Sequence, residues 1–267
     1  MRPCLATRRI NADTREGWLA SFDSILSALE KHFGRHDYVL GGRPSLADFA
    51  LMGPLYGHVF HDAVSGFRLK ANYPLVAEWV TRTMAQNALN ARPFGAVIYQ
   101  HVDGSLVGAP AASDGAEFLA GDEVPETLLP VLRLWFGEFW PVLESTMERF
   151  TNYLTSQEWE AKAATNGGLL PGKTFAPSPG FEAEQSGDGP LMHDFQVGGV
   201  AGRRMCSGYH LWMLGRLETV LEGCVEQGES AVRELLGAVG GSGLLGLGGS
   251  LAGCRARKQD GNIYAAQ

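Results

Sequence analysis

The chain has 267 residues, a formal charge of -7 and 45% apolar residues, which is enough to bury the core of one large domain or two small ones. That charge excludes a general nucleic-acid binder, which needs a basic face against phosphates, and it disfavours docking on an anionic membrane. No run reaches the ~18 uninterrupted apolar residues of a membrane span, and the four cysteines, Cys4, Cys206, Cys224 and Cys254, form no CxxC pair, so the chain reads as a cytoplasmic protein with reduced thiols.

The basic start (Arg2, Arg8, Arg9) lacks an apolar core and is no secretory signal. A first helix is expected over residues 14–33. Asp13 and Glu16 have capping-box spacing, and Trp18, Phe22, Ile25, Leu26, Leu29 and Phe33 recur at steps of three and four. Gly34 is placed to end it.

A second helix starts after Gly41-Gly42-Arg43-Pro44. Ser45 is its N-cap, and Asp48, three residues on, completes a reciprocal capping box. Phe49, Leu51, Met52, Leu55, Tyr56 and Val59 make it apolar nearly all round, so it is expected to be central and buried. A third helix starts at Pro74, with Val76, Trp79, Val80 and Thr83 inward.

Residues 93–121 read as a long loop or linker with short β-like runs such as Val97-Ile98-Tyr99. Helical periodicity returns from about Pro125, through Leu128, Leu132, Trp135, Phe139, Leu143, Thr146, Phe150 and Leu154. Pro141 should kink or divide that run. Residues 164–202 read as loop, and 209–236 as a last helix with Leu211, Leu214, Leu217, Leu221, Val225 and Val232 inward. Residues 237–253 read as a glycine-rich tail, ordered or disordered, and 255–264 as a short strand or surface segment. With no βαβ unit, the expected class is all-α. The expected organisation is a helical domain at 1–92, a linker at 93–122, a helical extension at 123–236 and the tail at 237–267.

The segment from Asp37 to Phe49, with its Leu40-Gly41 and Ser45-x-Ala47-Asp48, is similar to the opening of the buried sixth helix of glutathione S-transferases. Tyr73, Pro74, Val76 and Trp79 resemble the family's next helix, at its usual distance. The resemblance covers about residues 14–84. It implies an all-helical C-terminal domain in which Ser45 and Asp48 are structural N-cap residues, with a catalytic Asp48 as the rival role.

The implied activity is conjugation of glutathione to small hydrophobic electrophiles, in detoxification. The family binds glutathione in a thioredoxin-like domain ahead of these helices, and a fifth-helix counterpart beginning by Thr14 leaves no room for it. Val124-Pro125 and Glu144-Ser145 echo the glutathione motif but lie in helical patterns. The expectation is therefore no catalytic residue, no bound cofactor and no turnover by this chain alone, with glutathione as co-substrate only where an N-terminal domain exists.

The alternative is a non-catalytic protein-interaction or ligand-binding helical module, as a homodimer or with a partner protein. Tyr56, Trp135, Phe139 and Tyr209 are the candidate lining of a hydrophobic substrate pocket, although at helical spacing Trp135 and Phe139 fit a core equally well. His58, His61 and Asp62 could in principle hold a metal, but no third ligand has diagnostic spacing, so no metal site is assigned. No G-x-S-x-G elbow is present, and Cys4 beside Arg2 reads as incidental.

Overall fold

The computed structural model describes residues 12–84, 97–110, 117–171 and 191–266. The basic start and Cys4, with parts of the expected linker and of the 164–202 loop, lie outside the described residues. The fold is all-α with short hairpins, as the periodicity requires. The chain divides into two compact units, Leu19–Leu134 and Trp135–Gln267 with Met1–Trp18.

The first unit is built on α1 (Ala12–Phe33), α2 (Leu46–Pro54), α3 (Ala63–Asn72) and α4 (Pro74–Met84). Leu26, Leu29 and Phe33 of α1 close a core with Leu69, Val76, Trp79 and Val80, all nearly or fully excluded from solvent. The Phe33 and Trp79 rings stack with centroids 4.8 Å apart, a contact of ~0.5–1.5 kcal/mol beyond its buried area. Polar ties fix the helix ends. The Glu30 carboxylate accepts from the Leu75 and Val76 N–H groups at 3.0–3.1 Å, capping α4 from a neighbouring helix. Asp23 pairs with Arg68 and accepts from the Tyr73 hydroxyl at 3.0 Å, joining α1 to the region of α3 and α4.

Two expectations need correction. The helix at 46–59 is not buried all round, since Leu46 is 85% and Phe49 57% exposed while Asp48, Met52 and Leu55 turn inward. It also changes character after Pro54, continuing as a π-turn over Leu55–Phe60. Helix α3 lies in what reads as the exit of that helix. Asp62 starts it, accepting from the Val64 and Ser65 N–H groups at 2.9 Å each, which is ordinary N-cap chemistry.

The Gly41-Gly42 turn is held by main-chain pairing. Gly42 N–H donates to Glu117 O at 2.7 Å, and Leu119 N–H donates to Leu40 O at 3.1 Å. Gly41 has φ +114°, and a Cβ there would meet Leu119 N at 2.9 Å and Glu117 O at 3.1 Å. Gly41→Ala is therefore expected to destabilise this unit by about 1–3 kcal/mol. Denaturant unfolding checks this, and an unchanged midpoint would mean the turn re-forms without the 117–119 strand.

The unit runs on through β1 (Val97–Val102) and β2 (Ser105–Pro110) to a 3-10 turn at Glu126–Leu128 and α5 (Leu129–Leu134). A π-turn, Trp135–Phe139, opens the second unit and leads into α6 (Trp140–Leu154), with Pro141 in its first turn. Helical geometry continues from α5 through this π-turn into α6, so the long periodic run is widened ahead of the proline rather than broken by it. Next come α7 (Gln157–Asn166), β3 (Met192–Val197), β4 (Val200–Met205), α8 (Gly208–Ala238), α9 (Leu247–Leu251), β5 (Ala256–Gln259) and β6 (Asn262–Ala265). In α8, Leu211 and Leu214 are buried as expected, and Gly228 breaks the helical geometry.

Among the described residues the strands form antiparallel hairpins only: β1 with β2, β3 with β4, and β5 with β6. Residues 192–202, expected as loop, lie within the β3–β4 hairpin. The glycine-rich stretch is ordered too. A 3-10 turn at Ser242–Gly246 and then α9 bury Leu244, Leu247 and Leu251 beside α8 and α6. Small residues around three leucines allow the close backbone approach that this packing needs; Gly241, for example, faces the Phe136 ring. No described helix is long and apolar enough to cross a membrane.

Candidate functional site

Asp48 accepts from four donors among the described residues. It is fully buried at the start of α2. Oδ2 accepts from the Ser45 N–H and hydroxyl at 2.7 Å each, and the reciprocal capping box is complete. Oδ1 accepts from Val39 N–H at 3.1 Å and Trp79 Nε1–H at 2.9 Å. Four donors from three chain segments satisfy both oxygens, so the carboxylate is an internal clamp with no face left for a substrate. Ser45 and Asp48 stand where the sequence puts them, and the bond to Trp79 links the two motifs that carry the resemblance.

The four pocket candidates fall in two places. Tyr56, in the π-turn after α2, meets His61 edge-on with ring centroids 4.5 Å apart. In the other unit Trp135 packs on Phe136 and Phe139 at 5.0 and 5.5 Å, Phe139 contacts His210 at 6.3 Å, and Tyr209 contacts Trp212 at 5.5 Å. None of the four lines the cleft that α1 forms with the Glu126–Leu134 segment. Asp62 is engaged as the α3 cap, and no group of three or more His, Cys, Asp or Glu suited to a metal occurs among the described residues.

A cleft of about 820 Å³ lies within the first unit. Ser24, Ser27, Ala28, Lys31 and Arg35 form one wall. Steps of three and four put the first four on a single face of α1. Glu126, Thr127, Pro130, Arg133 and Leu134 form the other wall, again one helical face. A hydrogen bond between Thr127 Oγ1 and His32 Nδ1, 2.9 Å, ties the walls together. His32 Nε2 lies 3.2 Å from Tyr38 O, which can only accept, so Nε2 carries the proton and the Thr127 hydroxyl donates to Nδ1.

Sequence reasoning missed this cleft because its walls are about a hundred residues apart. The same-face placement of Lys31 and Arg133, each among small or apolar neighbours, was the one available signal.

The second unit holds a buried polar cluster. His193 of β3 sits 2.7 Å from Ser145 Oγ through Nδ1 and 3.2 Å from Thr146 Oγ1 through Nε2. Both hydroxyls also donate to Val142 O, Thr146 at 2.7 Å and Ser145 at 3.1 Å, so the imidazole and the two hydroxyls form one network on the Val142 carbonyl in the first α6 turn. Burial, and then the Arg204 cation, lower the His193 pKa to about 4. His210 is lowered to about 4 by burial, Arg204 and His193. Cys206 is fully buried, and its thiol is pushed up to about 12 by desolvation. Burial raises the Cys254 thiol as well. Neither cysteine is a thiolate nucleophile near neutral pH. Ser145, whose neighbour Glu144 completes the apparent glutathione motif, lies inside α6 and hydrogen-bonds to a hairpin.

Residues 12–82 match the family model described as Glutathione S-transferase, C-terminal domain. No curated protein matches the chain, and no solved structure matches it either.

Proposed function

We propose that this chain, with a glutathione S-transferase C-terminal domain at residues 12–82, supplies the helical, electrophile-side part of a glutathione-dependent conjugating system in the cytoplasm. The family match, centred on the Asp48 clamp and its bond to Trp79, is the observation that carries this reading. In such a reaction a glutathione thiolate attacks an apolar electrophile held among helices. Neither Asp48, saturated by its four donors, nor the buried thiols of Cys206 and Cys254 is equipped to activate that thiolate.

The test is retention on immobilised glutathione together with conjugation of a general aromatic electrophile. The chain alone is expected to give neither retention nor turnover. Saturable turnover would replace this reading with that of a self-sufficient transferase.

A second reading is a non-catalytic ligand-binding module. The cationic cleft favours it, because Lys31, Arg35 and Arg133 surround a cavity lined by no cysteine, histidine or tyrosine.

A further inference from the structure

We propose that the outer edge of β5 is a docking site for an acidic, extended segment of a partner protein, which adds as a strand beside β5 with its carboxylates on Arg257, Lys258 and Arg216. The site lies in the second unit, outside the family match, and does not depend on conjugation.

The open edge follows from the register. β6 is the middle of this small sheet. On its far side Leu170 N–H donates to Ile263 O, and Ala265 N–H donates to Gly168 O, at 2.9 Å each. Ile263 and Ala265 therefore aim their main-chain groups away from β5. Their antiparallel partners are Lys258 and Ala256. In such non-hydrogen-bonded pairs both strands turn N–H and C=O outward. Lys258 and Ala256 thus each present an N–H and a C=O at the outer edge of β5, where no main-chain group among the described residues bonds to them. Arg257, Lys258 and Gln259 are exposed. An exposed edge of this kind is a template for an added strand.

Charge selects the strand. The whole chain carries -7, yet Arg257, Lys258 and Arg216 have no carboxylate partner among the described residues. Each is seated on an aromatic ring instead. Arg257 lies 5.1 Å from the Tyr264 centroid, while Lys258 and Arg216 lie 4.8 and 5.2 Å from that of Trp212. Arg257 also donates to the Gln259 side chain. The neighbouring Arg255 differs, because Glu218 holds it in a two-point ion pair at 2.6 and 2.7 Å. Asp260, in the turn, is the one carboxylate of the β5–β6 hairpin.

Successive strand residues face opposite ways, so Arg257 and Lys258 flank the edge on both faces. Adjacent carboxylates on an added strand would meet one cation each. The same cations repel a second copy of β5, which leaves an acidic strand as the complement. The ring contacts hold the cationic side chains in place and so reduce the entropy lost on binding.

The experiment is a fluorescence-anisotropy titration of the full chain, at low ionic strength and without glutathione. The probe is a labelled, amidated peptide, Thr-Val-Thr-Glu-Glu-Val-Thr-Val. Its counterpart with glutamine for both glutamates and an oligothymidylate are the controls. The acidic peptide is expected to bind saturably, with each control about fivefold weaker or more. The Arg257→Gln/Lys258→Gln double variant should weaken the peptide by about fivefold or more. Ala256→Pro removes an outward N–H and keeps every cation and every ladder bond, so it should leave the thermal midpoint near wild type and also weaken the peptide about fivefold. In isotopically labelled wild-type protein, the Ala256 and Lys258 amide signals should shift and gain protection from exchange as peptide is added.

Several results would overturn the proposal: no saturable binding, a control as tight as the acidic peptide, undiminished affinity in either variant, or unmoved Ala256 and Lys258 amides. Because glutathione is absent throughout, failure here leaves the conjugation reading standing, and failure of the conjugation assay leaves this one standing.

Discussion

Asp48→Ala is expected to lower the thermal midpoint of the Leu19–Leu134 unit by on the order of 10 °C. The carboxylate satisfies Val39 N–H, Ser45 N–H and the Trp79 indole N–H in a site with no solvent exposure. Deleting it strands those donors and removes the partner of the Ser45 hydroxyl. An unsatisfied buried group costs ~1–3 kcal/mol, so a total of roughly 3–5 kcal/mol is expected. At about 2–4 °C per kcal/mol for a chain of this size, the shift follows. Asp48→Asn retains one acceptor oxygen and should fall between wild type and alanine. Circular dichroism melts of the three proteins check the series. An unchanged midpoint with lost conjugation or ligand binding would make Asp48 a catalytic residue instead.

The second large effect is acid lability of the Trp135–Gln267 unit. His193 and His210 both have folded pKa values of about 4, against ~6.5 in an unfolded chain. The unfolded state therefore binds more protons between these values, and stability rises with pH there. The stabilisation is fully present above pH ~6.5 and is lost as pH falls toward ~4. Each histidine contributes on the order of 3 kcal/mol to that swing.

The charged groups that set the shifts are Arg204, which opposes both imidazolium ions, and Asp194, which partly offsets it at His193. His210 Nδ1 is buried without a hydrogen-bond partner among the described residues, so His210→Phe should fold and should reduce the pH slope by about half. Thermal melts between pH 4 and pH 8 measure this. A flat wild-type profile, or an unaltered slope in His210→Phe, would show that the two imidazoles are not the groups that titrate.

The sequence was most informative where a local rule has a local outcome. Ser45 and Asp48 stand three residues apart, so their reciprocal bonds are written into the chain. The stripe of α1 is equally plain at Leu26, Leu29 and Phe33. It is less so at Trp18, which is exposed, because periodicity names a face but not how far the partner extends.

The hairpins were partly legible, with Val97-Ile98-Tyr99 reading as β-like and 255–264 as a short strand or surface segment, while β3 and the start of β4 read as loop. Their turns are Asp103-Gly104, Gly198-Gly199 and Asp260-Gly261, each with positive φ at both residues. Such two-residue turns are the strongest short-range hairpin signal. The β3–β4 hairpin reads as loop because its short strands sit in glycine-rich company. The order of the glycine-rich stretch could not be read this way. It depends on Leu244, Leu247 and Leu251 finding α8 and α6, a long-range outcome that composition does not encode. The cleft was hidden for the same reason, since Lys31 and Arg133 become neighbours only after α5 packs on α1.

The four bonds of Asp48 also set an order of events during synthesis. Val39, Ser45 and Asp48 emerge within ten residues of one another, but the indole that completes Oδ1 comes thirty-one residues later. Until Trp79 has left the ribosome, the carboxylate keeps part of its water and α2 has a start but no fixed seat. Once Trp79 is available, its indole N–H can fill the remaining acceptor position on Oδ1 while its ring stacks on Phe33. Since all of these contacts lie inside residues 33–79, the clamp can close while most of the chain is still unmade.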